Sequence, residues 1–281
     1  VYKRQGRMFA GLLSIPQAVL LGIVEGITEF LPISSTGHLL VVGDLINFGT
    51  GTSKTAGDTY SVAIQFGAIL AVLVLYRIRI LSMVRGIAGS DTEGRSTLVA
   101  LITAFVPAAV LGVLAGDAIK DALFGPVPVT VAWAIGGVLL LRWVPKAGVL
   151  ELHQLTTRSA FIIGLAQGIA LWPGVSRSLV TLVAGLAVGL TLSAAIEFSF
   201  LLGLVTLSAA TAFDLLKHGG ELVDTFGIAT PLIGLACAFI TALIAVRWMV
   251  GYLNTRSLAI FGWYRIAAAA VCGVLLMTNV L

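Results

Sequence analysis

Apolar residues in this chain come in long unbroken runs, with polar residues gathered between them rather than alternating through them. A helix needs about 20 apolar residues to cross roughly 30 Å of hydrocarbon. Six runs meet that requirement: Thr59 to Tyr76, Leu98 to Ala115, Val127 to Val144, Ser193 to Phe213, Pro231 to Val250 and Ser257 to Thr278. Two further stretches are equally apolar but interrupted. Phe9 to Val42 contains Pro16, Pro32 and Ser34-Ser35-Thr36-Gly37-His38, and Ala160 to Leu190 contains Pro173-Gly174 and Arg177. A broken helix persists at membrane depth only where protein or a water-filled cavity satisfies its freed backbone groups. Both stretches are therefore predicted to be re-entrant and to line a site, in preference to pairs of kinked full spans.

The interrupted stretches open two similar halves. Gly22-Ile23-Val24-Glu25-Gly26-Ile27 is echoed by Gly164-Leu165-Ala166-Gln167-Gly168-Ile169, and Ser61-Val62-Ala63-Ile64-Gln65-Phe66 by Ser193-Ala194-Ala195-Ile196-Glu197-Phe198. Each half carries one re-entrant stretch and three spans, and an odd number of crossings inverts the second half relative to the first. The expectation is an all-α polytopic membrane protein, an inverted repeat of six transmembrane helices plus two re-entrant segments. It forms a single membrane domain over residues 8–281, with halves of about 8–150 and 151–281. Residues 1–7, ahead of Met8, read as a non-native leader.

Composition agrees: 58% of residues are hydrophobic, 11% are charged and the mean hydropathy is +1.05, against roughly 25% charged in soluble domains. Lys and Arg collect in three loops, around Arg77 to Arg95, Arg142 to Arg158, and Arg247 to Arg256, which places these loops in the cytoplasm. The opposite loops hold Asp117, Lys120 and Asp121, then Asp214, Lys217, Glu221 and Asp224. The net charge of +4 reflects this loop bias and indicates no nucleic-acid partner. Cys237 and Cys272 lie in apolar surroundings and read as inert core thiols, and no Cys or His spacing suits zinc.

Glu25 and Glu29, one turn apart, would point two carboxylates into one small volume. At membrane depth such a pair is stable if one is protonated, if Mg2+ or Ca2+ lies between them, or if an Arg neutralises them, and Arg177 is the candidate. A purely structural ion pair is the competing reading. Ser34, Ser35, Thr36 and His38 follow in a turn rich in hydroxyls and free N–H groups, which suits an anion. A hydroxyl near an imidazole can act as a nucleophile, although such clusters also serve as helix caps. Arg177, flanked by Ser176 and Ser178 where a new helix opens, is equipped to grip a phosphate or diphosphate.

Glu25-Gly26-Ile27-Thr28-Glu29-Phe30-Leu31-Pro32-Ile33-Ser34-Ser35-Thr36-Gly37-His38, with Pro173-Gly174-Val175-Ser176-Arg177-Ser178, resembles the undecaprenyl-diphosphate phosphatases, the bacitracin-resistance proteins. The resemblance extends through Ile196-Glu197-Phe198-Ser199-Phe200-Leu201-Leu202 and the order of spans, from Met8 to the C-terminus. It implies removal of the terminal phosphate of undecaprenyl diphosphate, a polyprenyl lipid substrate, at a site open to the outer face of a bacterial plasma membrane. By the same resemblance Glu25 and Glu29 are the acidic pair holding the divalent cation, Ser35 the nucleophile, His38 its base or leaving-group acid, and Arg177 the diphosphate clamp. His38 or an activated water remains an alternative nucleophile. Ser34, Thr36, Ser176, Ser178 and Thr181 are further phosphate contacts, with Gln65 and Glu197 in support. Leu179 departs from the Gly common after Ser-Arg-Ser in that family.

Inverted repeats with broken helices also build secondary carriers, so a transporter of a lipid phosphate or an ion is the alternative function. An acid-phosphatase-type lipid phosphatase is excluded, because that family needs a further His after the Ser-Arg pair and Ser178 to Leu190 contains none. Membrane lipids are the expected surroundings. Glycines such as those in Ile135-Gly136-Gly137 allow close helix contact within one chain or across a homodimer.

Overall fold

The computed structural model describes residues 13–48 and 53–281, so the leader and the start of the first interrupted stretch lie outside the described residues. Helix α1 (Ile15–Thr28) begins at a capping box between Ser14 and Gln17, with Pro16 in its first turn. Pro16 is thus where the helix starts and not a second break: its fixed φ suits the first turn and its missing N–H costs nothing there. The single break is at Pro32, after which α2 (Ser35–Leu45) sets off. At 14 and 11 residues, these helices reach about 21 and 16 Å. Neither spans a bilayer alone, as a re-entrant hairpin requires.

Next come α3 (Lys54–Leu75), α4 (Arg77–Ile87), α5 (Thr92–Leu123) and α6 (Pro126–Arg142). The second broken stretch forms α7 (Thr157–Gln167), a 3-10 turn over Gly168–Leu171, and α8 (Arg177–Ala187). The chain ends with α9 (Leu192–Phe226), α10 (Ala229–Leu253) and α11 (Ala259–Met277). Among the described residues five helices, α3, α5, α9, α10 and α11, are long and apolar enough to cross a membrane. The sixth expected span is α6, which Gly125-Pro126 and Trp143 confine to 17 residues, about 26 Å.

Helix α1 packs along α10, and its counterpart α7 packs along α5. Helices α3 and α9 pair with each other, as do α6 and α11. These are the contacts expected if the two halves exchange places. Small residues make the closest of them possible. A Cβ on Gly22 would overlap the Gly234 carbonyl of α10, and one on the matching Gly164 would overlap the Ala104 carbonyl of α5. Gly26 is still more confined, between Thr241 Oγ1 and the Ala238 backbone. In lipid, where apolar burial between helices contributes little, such backbone approach supplies the association.

The largest core cluster gathers Phe30, Leu101, Phe198, Phe200 and Val246 around the broken segments, with Phe30 edge-on to Phe200 at 5.2 Å. On the Arg-rich side, Arg79 of α4 pairs with Glu197 of α9 at 2.6 Å. There too Asp91 caps α5, and the Ser82 hydroxyl and Gly94 N–H hold its carboxyl below the usual carboxylate range. Helices α5 and α9 have 32 and 35 residues. At about 48 and 52 Å they outrun the hydrocarbon and carry Lys120 and Glu221 beyond it at the other end.

Gly26→Leu should lower stability by roughly 1–3 kcal/mol through overpacking, read as a fall in thermal midpoint in detergent. Gly251→Leu, in open space on α10, should leave the midpoint unchanged.

Candidate active site

The turn between α1 and α2 is held by side chains from distant parts of the chain. The Leu31 carbonyl accepts from Ser178 Oγ at 3.0 Å and Ser176 Oγ at 3.4 Å. Arg265 Nη1 approaches the Pro32 carbonyl at 3.5 Å, and Trp133 Nε1 donates to the Ile33 carbonyl at 3.0 Å. His38 Nδ1 donates to the Ser34 carbonyl at 2.6 Å. Four successive carbonyls of a broken helix are thereby satisfied without water, as membrane depth demands. Ser34 itself sits at φ 75°, ψ 102°. A non-glycine residue is rarely found there, and such strain persists only where the surroundings over-determine it.

Glu29 is the point of convergence. It caps the C-terminus of α1 and is 7% exposed. Its Oε1 accepts from Arg177 Nη2 at 2.8 Å, and its Oε2 accepts from Ser35 Oγ and from Gln65 Nε2, the latter at 3.2 Å. Ser35 and Arg177 are the first residues of α2 and α8, so the two re-entrant helices present matching positions to one carboxylate. Arg177 also donates from Nη1 to the Ser199 carbonyl at 3.0 Å, and its Cζ lies 5.5 Å from the Phe30 ring centre. Gly203 of α9 provides its slot, since a Cβ there would overlap the guanidinium.

Glu25, 1% exposed, lies one helical turn before Glu29 on α1, and its Oε1 has no hydrogen-bond partner among the described residues. It faces a cavity of about 560 Å3 that also takes in Ser35, Thr36 and Gln65. Leu39, Leu40, Phe48 and Val62 make apolar walls, and Asp44, Asp58 and Lys120 lie among the ends of α2, α3 and α5. Lys120 and Asp58 are paired there. This end is opposite the Arg-rich loops.

Ser35, Gln65 and Arg177 are thus joined through Glu29, and Ser35, Gln65, Glu25 and Thr36 share the cavity, whose lining does not include Glu29 or Arg177; other expected site residues are placed elsewhere. His38 does not meet the Ser35 hydroxyl. Its Nδ1 serves the Ser34 carbonyl, its Nε2 accepts from Tyr264 Oη at 2.7 Å, and its ring packs against Trp133 at 4.7 Å. The group that receives the Ser35 proton donation is Glu29. Ser176 and Ser178 hold the Leu31 carbonyl, with Ser176 also capping α8. Thr181 donates to the Arg177 carbonyl at 2.9 Å and bonds the Ser199 hydroxyl at 2.6 Å. Ser34, 6% exposed, does not line the cavity. Glu197, the repeat counterpart of Gln65, turns away to Arg79.

Arg265, Trp133 and the cavity residues Asp44, Asp58 and Lys120 escape the sequence reading. For Arg265 a signal existed, because an ionisable residue inside an apolar span is itself a functional clue. Trp133 carries no such mark in an apolar run.

The profile of the family described as bacitracin resistance protein BacA matches residues 18–271. An undecaprenyl-diphosphatase of Sorangium cellulosum is 46% identical over 261 residues, covering 90% of this chain and 84% of the relative. The undecaprenyl-diphosphatase 2 of Rhodospirillum rubrum is 44% identical over 264 residues, covering 92% and 94%. The undecaprenyl-diphosphatase 1 of Chromobacterium violaceum is 43% identical over 255 residues, covering 89% and 92%. On the strength of a profile match over most of its length and of these relatives, the chain belongs to the bacitracin resistance protein BacA family.

Proposed function

We propose that this protein is a membrane phosphatase that hydrolyses undecaprenyl diphosphate to undecaprenyl phosphate and inorganic phosphate. This recycles the lipid carrier of cell-wall synthesis and, as the family's name implies, confers bacitracin resistance. The observation that carries the reading is Glu29 held between Arg177 and Ser35, with Ser35 itself on the lining of a cavity with apolar walls. A carboxylate aligned on a hydroxyl supplies a base, and a guanidinium on the other oxygen of that carboxylate supplies the phosphate clamp.

In this scheme the prenyl chain lies along Leu39, Leu40 and Val62 while the diphosphate reaches Ser35. Ser35 Oγ attacks the terminal phosphorus as Glu29 takes its proton. The bond from that phosphorus to the bridging oxygen breaks, and undecaprenyl phosphate leaves. Water then attacks the phosphoserine, inorganic phosphate departs, and Ser35 regains its proton. The N-terminus of α2 carries no side-chain cap, so its leading N–H groups are suited to phosphate oxygens. Arg177, seated against Gly203, steadies the charge that builds on them. Attack by water, with Glu29 as base and Ser35 as a hydrogen-bond donor, uses the same groups.

The residues also fit a divalent cation. Glu29 is occupied by three donors, but buried Glu25 Oε1 has none. Among the described residues no third acidic, His or Cys side chain joins this pair. That donor set suits Mg2+ or Ca2+ completing its shell with substrate oxygens. Bound there, the ion would neutralise diphosphate charge and polarise the phosphoryl group. Because the cavity lies at the end opposite the Arg-rich loops, the positive-inside rule supports a site open to the outer face of the plasma membrane.

Phosphate release from undecaprenyl diphosphate in detergent should fall by at least about 100-fold in Glu29→Gln and Arg177→Ala, with Ser35→Ala equally inactive if Ser35 is the nucleophile. Full activity in Ser35→Ala would leave the water route, and a folded wild type without turnover would remove the phosphatase reading. A chelator should abolish turnover, and Glu25→Gln should raise the cation concentration for half-maximal rate by at least about tenfold. In intact cells, an impermeant maleimide should label Lys217→Cys and spare Arg256→Cys; the reverse pattern would put the cavity mouth in the cytoplasm.

A further inference from the structure

Arg265 lies in the middle of α11, is 1% exposed, and ranks among the largest fully buried side chains of the protein. No carboxylate pairs with it among the described residues. Its guanidinium instead reaches three carbonyls on three separate elements. Nη2 donates to Gly174 at 3.0 Å and to Ala132 of α6 at 2.9 Å, and Nη1 approaches Pro32 at 3.5 Å. Pro32 and Gly174 are the break points of the two re-entrant segments. The slot comes from Gly136 on α6, where a Cβ would overlap Nη2. The Gly136-Gly137 pair thus makes room for this side chain within one chain.

An unpaired buried cation is costly, and a neutral residue would fill the same space. What a neutral side chain cannot do is place several donors in a fixed planar fork. The turns joined by that fork deliver the first residues of α2 and α8, Ser35 and Arg177, to Glu29. We propose that Arg265 is a positioning residue, its guanidinium fixing the two break points against each other so that Ser35 and Arg177 meet Glu29. It touches none of the reacting atoms and does not line the cavity. Misplacing reacting groups by even 1 Å is enough to cost about 100-fold in rate.

The inference rests on the phosphatase reading for its kinetic test, and hydrogen exchange tests it without that reading. Arg265→Lys keeps the charge but cannot reach three carbonyls in one plane. Gly136→Ala crowds the fork and leaves Arg265 in place. In variants that purify monodisperse, kcat should fall by at least about tenfold while KM changes by less than about threefold, because the cavity walls are untouched. Amide exchange should rise at least about tenfold in both turns, around 31–37 and 173–178, with the long helices as protected as in the wild type. If Arg265→Lys does not fold, Gly136→Ala decides alone. Wild-type kcat, or faster exchange in only one turn or in neither, would overturn the proposal. A wild type without turnover whose variants still loosen both turns would sink the phosphatase reading and keep Arg265 as the link between the breaks.

Discussion

Everything at the centre of this protein follows from a backbone that cannot be left unpaired. Two helices break at membrane depth, and each break strands carbonyls that water does not reach. The first break solves this with side chains from α6, α8 and α11, none of them near it in sequence. The turn can therefore form only when both halves are assembled. A site placed on such a turn inherits its rigidity, because the groups that satisfy the backbone also fix where Ser34 points and where α2 begins. The strained φ of Ser34 belongs to the same account, held by neighbours that leave it no alternative.

Charge at the centre is divided between the halves. The first half contributes Glu25 and Glu29, while the matching positions of the second are Gln167 and Leu171. The first residue of α2 is Ser35, and that of α8 is Arg177. Had both halves kept carboxylates, four would converge on one buried volume. The divergence leaves one close ion pair, Glu29 with Arg177, and one carboxyl, Glu25, turned to the cavity. The same division explains Gln65, whose amide can donate to Glu29, where its counterpart Glu197 would repel it and instead pairs with Arg79.

Much of this was legible in the sequence, for physical reasons. Spans announce themselves by length and hydropathy, and re-entrant segments by breakers inside apolar runs, because hydrocarbon permits few backbone solutions. Glu25, Glu29, Ser35 and Arg177 were legible because polar groups are scarce in such surroundings. Position within a break was less so. Pro16 reads as a breaker until Ser14 is seen capping the helix it starts, and the short reach of α6 is set by its ends rather than by its apolar content. The direction of His38 could not be read at all. It is three residues from Ser35 on the same helix, and which way its ring turns depends on Tyr264 and Trp133, far along the chain.

The placement of His38 bears on what the turn has to do. An imidazole donating to the Ser34 carbonyl and accepting from Tyr264 is locked at both nitrogens, so it braces the back of the turn whose front carries Ser35. Glu29 has the opposite character. Its two oxygens touch the Ser35 hydroxyl and Arg177, the groups suited to attack and to charge stabilisation. Proton transfer over one hydrogen bond needs no rearrangement, whereas recruiting His38 would require breaking both of its ring hydrogen bonds and leaving the Ser34 carbonyl with only the His38 backbone N–H at 3.4 Å. That loss of two hydrogen bonds favours Glu29 as the base and leaves His38 as part of the frame that keeps Ser35 in place.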